Sequence, residues 1–451
     1  MYVKKDRITV FITLLLTVLI VIFFTELNDI LLTGSKLKAT VIGLLYMSVI
    51  YFLLISLYLK VVSFFGLSPT LIIISFIVIF YSSGLFPLSL YRSYIQTNFW
   101  IELLSVAVIC ILIGNFLGRI LGNKGDVCNT KTYKNLEINK NAVVILSLLS
   151  LLATGYITVR YGLLIINPSN RFLVPASIQY IVEFIIPVTI SVFAFYYDPQ
   201  KRNIKVILYA IVSILMLFSL GYRNQPMLVI IGCILVIVFK KFNSKTVFEW
   251  NKIVKLSLGG MILLVVFSLL FILRQESSTE LLDWSSFVNF YQVTYYQLSM
   301  PIFPFHLSSR EAMGVTTIAL ERIGEINSLL GNSSFFFQDL KTLLPGAQLT
   351  AGNILGRVVN LRDSVSLTPG LLGGLYISNG FLGLSIGFTT IGFLLSYYWY
   401  HFKRTNSHRS LALVVLALIY SLELINRGIF KPMYIIVLLI PYFLFYRKRA
   451  K

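Results

Sequence analysis

Apolar runs of about 16 to 24 residues recur along the whole chain, the length a helix needs to cross the hydrocarbon core of a bilayer. Twelve such spans can be drawn, at roughly 8–24, 40–59, 69–90, 99–121, 142–158, 178–197, 204–220, 225–239, 253–273, 371–399, 410–424 and 432–446. The pattern predicts an all-α polytopic membrane protein, one membrane domain over 1–451. The span at 371–399 is long enough to tilt or to continue past the bilayer. One connection breaks the rhythm. Between spans nine and ten, residues 274–370 hold turn punctuation (Pro301, Pro304, Pro345-Gly346, Pro369-Gly370) between pieces of helical spacing. A loop that long is functional or disordered, and this one is too rich in Phe, Tyr and Leu for disorder.

Composition agrees: 57% of the residues are hydrophobic, 12% are charged, and the mean hydropathy is +0.83. The net charge of +20 does not signal nucleic acid, because the cations sit in short connections between apolar runs and no phosphate loop or RNA-binding signature accompanies them. With the N-terminus in the cytoplasm, the cytoplasmic segments hold 24 Lys and Arg against five acids, and the outer segments and span ends hold 14 against 13. That split predicts both termini inside a bacterial cytoplasmic (inner) membrane and places 274–370 on the outer face. The run from Ile8 to Phe24 is too long for a signal core and lacks a cleavage site, so it is expected to be retained as the first span. Cys110, Cys128 and Cys233 have neither metal-ligand spacing nor a disulfide pattern.

The two faces differ in the kind of cation as well as the number. Inside, Lys leads Arg 17 to 7; outside, Arg leads 10 to 4. Guanidinium grips phosphate or carboxylate with a two-pronged fork. The outer arginines can also snorkel, or pair with outer acids such as Glu183 and Glu423. Outer connections such as Tyr91-Arg92-Ser93-Tyr94 and Asn167-Pro168-Ser169-Asn170-Arg171 mix aromatic and polar side chains. These suit sugar rings and membrane-belt anchoring alike. No internal repeat of twenty to fifty residues is visible.

Inside the long outer stretch, residues 281–299 have helical spacing and many aromatics. A second helical piece opens at Ser308, in capping-box spacing with Glu311, and runs to about Leu330, with Arg322 and Glu325 on one face. The stretch from Phe335 to Leu344 reads as a short amphipathic element lying flat at the interface. Arg357, Arg362 and Asp363 follow in a Gly- and Asn-rich part, and the chain then re-enters the membrane through glycines 370, 373, 374, 380, 383 and 387.

A large outer loop ending in Gly-x-Leu-Tyr-x-x-x-Gly-x-x-Gly (373–383), with an earlier Gly-x-Arg at a span end (Gly221-Tyr222-Arg223), resembles the Wzy-type polymerases of O-antigen and capsule repeat units. An outer arginine with a glycine eleven positions on, also seen in that family, occurs as Arg362 and Gly373. Many members of that family carry an acid where this chain has Gly374. The resemblance implies that a sugar hydroxyl of one polyprenyl-pyrophosphate-linked repeat unit attacks the anomeric carbon of a growing chain on a second such lipid.

Pyrophosphate leaves readily, so the chemistry needs arginines to neutralise its charge and a base for the attacking hydroxyl. The candidate pyrophosphate ligands are Arg223, Arg274, Arg310, Arg322, Arg357, Arg362 and Arg427; the candidate bases are His306, Glu311, Glu325 and Asp363. No cofactor and no metal are expected. The expected partners are polyprenyl-pyrophosphate-linked oligosaccharide, membrane lipids, and a chain-length regulator and flippase of the same pathway. Two other classes stay open: another lipid-linked glycan transferase or ligase, for which Glu26 and Asp29 offer an acidic pair, and a flippase or secondary transporter. The transporter class asks for charged residues at mid-membrane, whereas Glu102, Glu183 and Glu423 lie near span ends.

Overall fold

The computed structural model describes residues 68–85, 91–92, 94–123, 136–164, 170, 173–198, 203–221, 224–242, 292, 303–331, 333–344, 349–360 and 366–447. Spans 8–24, 40–59 and 253–273 lie outside these residues, as do the acids Glu26 and Asp29 and, Gln292 apart, the aromatic helix expected at 281–299. The chain divides into two units. The second, Ser68–Phe86, Arg92–Thr246 and Phe305–Lys451, holds nearly all the described residues.

That unit is helical: α1 (Pro69–Leu85), α2 (Thr97–Asn123), α3 (Lys140–Tyr161), α4 (Ala176–Glu183), α5 (Ile185–Tyr196), α6 (Ile204–Ser219) and α7 (Asn224–Phe242) come before the long connection. Within the connection lie α8 (Phe303–Glu321), α9 (Ile323–Leu330), a 3-10 helix (Phe335–Leu343) and α10 (Ala351–Asn360); α11 (Gly370–Thr405), α12 (His408–Arg427) and α13 (Met433–Leu444) close the chain. Five stretches among the described residues are long and apolar enough to cross a membrane: α2, α3, the α4–α5 pair, α11 and α12. The chain is an all-α polytopic membrane protein. Among the described residues a short strand pair joins Leu136–Ile138 (β1) to Phe445–Arg447 (β2), antiparallel.

Three departures from the expected elements bear on the site. The span expected at 371–399 is two helical arms. Asn379 (φ −149°) and Gly380 (φ +57°) break the helix between them. Twelve residues of straight helix would separate Leu375 from Gly387 by about 18 Å, yet a Cβ on Gly387 would lie 2.5 Å from Leu375 Cδ1. The arms therefore fold back on each other, which hydropathy alone does not register. Second, α8 begins at Phe303 rather than Ser308, because Pro304 falls in the first turn where its missing N–H is harmless. Ser308 is then interior to the helix, and it donates to Asn426 Oδ1 at 2.7 Å instead of capping. Third, the Gly- and Asn-rich part contains α10. Its Ala351, Ile354, Leu355 and Val358, at helical spacing, are buried against α8 and α9.

The long arm of α11 packs on α2 through glycines. A Cβ at Gly114, Gly118 or Gly122 would strike, in turn, the Thr389, Phe393 and Tyr397–Tyr400 region of the arm. The order rises together on both helices, so they run parallel. Gly-x-x-x-Gly spacing lets two backbones approach this closely, and Ser396 Oγ donates across the seam to the Asn115 carbonyl at 2.9 Å.

Candidate active site

Tyr420, Glu423 and Arg427 sit at spacings of three and four residues near the end of α12, so they share one face. Gly428 (φ +70°) ends the helix in the left-handed conformation, its N–H donating to Leu424 O at 2.7 Å. The chain then reverses through Phe430, whose N–H donates to Phe336 O of the 3-10 helix at 2.9 Å. This turn sets Lys431 opposite Arg427 and puts Tyr434 in the first turn of α13. Arg427 Nε lies 2.6 Å and Lys431 Nζ 3.7 Å from the same oxygen, Glu423 Oε1. The Glu423 side chain is only 6% exposed, whereas those of Arg427 and Lys431 are 24% and 19% exposed. A buried carboxylate thus anchors two cations that an incoming anion can still reach.

A second wall comes from α4. Pro187 has no N–H to give to the Glu183 carbonyl, and the helix breaks there between α4 and α5. Glu183 ends α4, and its Oε1 accepts from Gln225 Nε2, in the first turn of α7, at 3.0 Å. One turn earlier, Tyr180 Oη lies 2.9 Å from Thr342 Oγ1 of the 3-10 helix. Asp339 of that helix accepts from Ala351 N at 2.8 Å and so caps α10. Burial raises the Asp339 carboxyl above its ordinary range, and burial, reinforced by Arg427, lowers the Lys431 ammonium. Both shifts mark a weakly solvated site, where electrostatic attraction is stronger than in water.

The other sequence candidates divide between a neighbouring cluster and separate positions. His306, Arg310 and Glu311 lie together on α8, which meets α12 through Ser308 and Asn426. Glu311 takes a two-pronged ion pair from Arg92, at 2.8 Å from Nε and 3.1 Å from Nη2. Arg310 is buried and donates to the Arg92 carbonyl at 3.3 Å. Arg322 donates to the Val358 carbonyl at 3.0 Å, close to the end of α10. Arg357 is half-buried in the last turn of α10, and Glu325 is exposed on α9. Arg223, Arg274, Arg362 and Asp363 lie outside the described residues. Among the described residues no three His, Cys, Asp or Glu side chains are grouped to hold a metal ion.

His306 is fully buried, with Nδ1 2.7 Å from the Ser83 carbonyl oxygen, which only accepts, so Nδ1 carries the proton. Burial, with Arg310 nearby, pushes its pKa down to about 4. An unfolded histidine titrates near 6.5, so the folded state binds the proton less readily. The stability this lends is fully present above about pH 6.5 and is lost as the pH falls toward 4, by up to about 3 kcal/mol. The thermal midpoint of the purified protein is expected to fall between pH 6.5 and 4.5, and His306→Asn to flatten that fall. Equal slopes for the two proteins would remove His306 as the titrating group.

A family model described as “Putative O-antigen polymerase” matches residues 66–440. The chain belongs to the O-antigen polymerase family. The matched region of the polymerase runs from just before α1 into α13 and contains every residue of the Glu183–Glu423–Arg427–Lys431 cluster. No curated protein and no solved structure matches the chain. Membership makes the protein a multi-pass membrane polymerase of lipid-linked oligosaccharide units.

Of the polymerase's clustered residues, sequence reasoning singled out Arg427 as a ligand and named Glu183 and Glu423 only as acids near span ends. Lys431 is not among those candidates, because the outer-face signal is an excess of arginine. The available signal was local: Glu423 and Arg427 at helical spacing, then Lys431 just beyond a glycine.

Proposed function

We propose that this polymerase joins polyprenyl-pyrophosphate-linked repeat units into a surface polysaccharide on the outer face of the cytoplasmic membrane, and that the Arg427–Lys431 pair receives the leaving pyrophosphate. The observation that carries the reading is the paired cations on one buried carboxylate, within a chain of this family. Charge builds on the phosphate oxygens as the glycosidic bond exchanges, and fixed cations in a weakly solvated site stabilise that charge without reorganising. The cations at the site are side chains, so the reading asks for no metal.

Two features of the fold support the outer placement. Parallel packing of α2 and the long arm of α11 suits the alternation in which spans four and ten both run inward. The β1–β2 pairing suits a shared cytoplasmic side for the connection before α3 and the C-terminal tail. Arg427 then lies at the outer end of α12.

A cell lacking the protein is expected to make and export single repeat units while losing the long chains, read by gel electrophoresis of extracted glycan. Units stranded on the cytoplasmic side would mean a flippase instead, and long chains unattached to their final acceptor would mean a ligase.

A further inference from the structure

Buried polar side chains in a folded protein nearly always find a hydrogen-bond partner. At this site, besides the Arg427 Nε that ion-pairs with Glu423, three polar atoms do not, among the described residues: Tyr420 Oη, Tyr434 Oη and Gln225 Oε1, on residues 5%, 6% and 4% exposed. The two tyrosine rings lie 5.7 Å apart, centroid to centroid. Gln225 hydrogen-bonds to Glu183, and both tyrosines lie within electrostatic reach of its charge. Hydroxyl and amide oxygens are what a sugar hydroxyl pairs with, as donor and as acceptor.

The carboxylates of the region are not equivalent. Glu423 holds Arg427 and Lys431, Asp339 caps α10, and Glu311 is committed to Arg92. Glu183 is half-buried and takes one hydrogen bond, from Gln225 to Oε1. Among the described residues it has no cation at ion-pair distance, and its Oε2 accepts nothing. The charged and titratable groups facing it are Tyr180, Tyr420, Glu423, Arg427, Lys431 and Tyr434. Gln225 donates to the carboxylate through its side-chain N–H, which leaves its own oxygen buried without a partner.

We infer that Glu183 is the base for the attacking sugar hydroxyl, and that Gln225, Tyr420 and Tyr434 form the subsite that holds the acceptor sugar. The inference rests on the reading of this site as the place of repeat-unit polymerisation. In the step, the acceptor oxygen forms a bond to the anomeric carbon. The bond from that carbon to the pyrophosphate oxygen breaks with its electron pair passing to the pyrophosphate, beside Arg427 and Lys431. The hydroxyl proton goes to Glu183, which later releases it to water.

The test uses the full-length polymerase in detergent or vesicles, with polyprenyl-pyrophosphate-linked repeat units. Glu183→Gln keeps the shape and the hydrogen bond but cannot take a proton. It is expected to lower kcat by about 100-fold or more, leave KM within about threefold, and erase the acid limb of the kcat–pH profile. Retained kcat, or residual activity with the acid limb unchanged, would overturn the assignment. Should the glutamine variant fail to fold, Glu183→Asp decides: a displaced acid limb relative to wild type supports the base role, and superimposable profiles refute it. If wild type itself builds no polymer, the polymerase reading fails first, and separately.

Discussion

Replacing Arg427 with alanine is expected to end chain growth, lowering polymer synthesis about 100-fold or more, the range seen when a preorganised charge-stabilising donor is removed. Arg427→Lys should recover little, because an ammonium keeps the charge and loses the planar fork that fits two phosphate oxygens. Fold and function can be separated here. Arg427 is one of two cations on the buried Glu423 carboxylate, at 2.6 Å, with Lys431 farther off at 3.7 Å. Removing arginine alone therefore under-compensates a buried charge, which destabilises by about 3–5 kcal/mol in comparable pairs. The double variant Glu423→Gln with Arg427→Ala removes both members. It is expected to restore folded protein, measured by monodispersity and thermal midpoint, and to leave polymerisation lost. Polymer of normal length from folded double variant would show that Arg427 serves only the fold.

The second large effect lies at the glycines that set the turn after Arg427. A Cβ on Gly374 would meet the Gly428 carbonyl, with the carbonyl carbon at 2.8 Å. A Cβ on Gly428 would meet the Gly370 carbonyl, with Gly370 N at 2.9 Å. Gly428 also has φ +70° and Gly370 φ +65°, conformations that glycine adopts readily and other residues rarely. Backbone meets backbone here, so nothing flexible can give way. Gly374→Ala and Gly428→Ala are each expected to lose most folded membrane protein, beyond the ~1–3 kcal/mol of ordinary overpacking. Gly324→Ala in α9, where an added Cβ meets open space, is the control and should be neutral or better. Equal yields of all three, by fluorescence-detected size exclusion, would contradict the packing argument. The same contact explains the absence of an acid at Gly374: with this backbone, a side chain there has no room.

Much of the frame was legible because it follows from local rules. For the spans expected from 69–90 through 225–239, and again at 410–424 and 432–446, the described residues show helices, since apolar length is a property of contiguous residues. Helix from Ser308 to about Leu330 and the short element at Phe335–Leu343 were visible for the same reason, but the start at Phe303 and the break at Arg322 were not. The doubling-back at Asn379–Gly380 was not, because the residues on both sides are equally apolar and hydropathy carries no direction. The site itself was legible only in part. Residues from α4, α7, α12, the 3-10 helix and the turn before α13 meet there, and Glu183 is about 240 positions from Glu423. Each looked inexpensive to solvate at its own span end. Only the fold shows that they share one poorly solvated cluster. Arg310 and Arg322, attractive as outer arginines, make backbone contacts to Arg92 and Val358.

The most direct test is chain elongation by the purified protein, supplied with polyprenyl-pyrophosphate-linked repeat units alone, in the presence of EDTA. Product length is read by mass analysis, with Arg427→Ala beside the wild type. The account predicts a ladder of lengthening chains with release of polyprenyl pyrophosphate from the wild type, and single units from the variant. Units that stay single with wild-type protein, or ladders of equal length from both proteins, would contradict it.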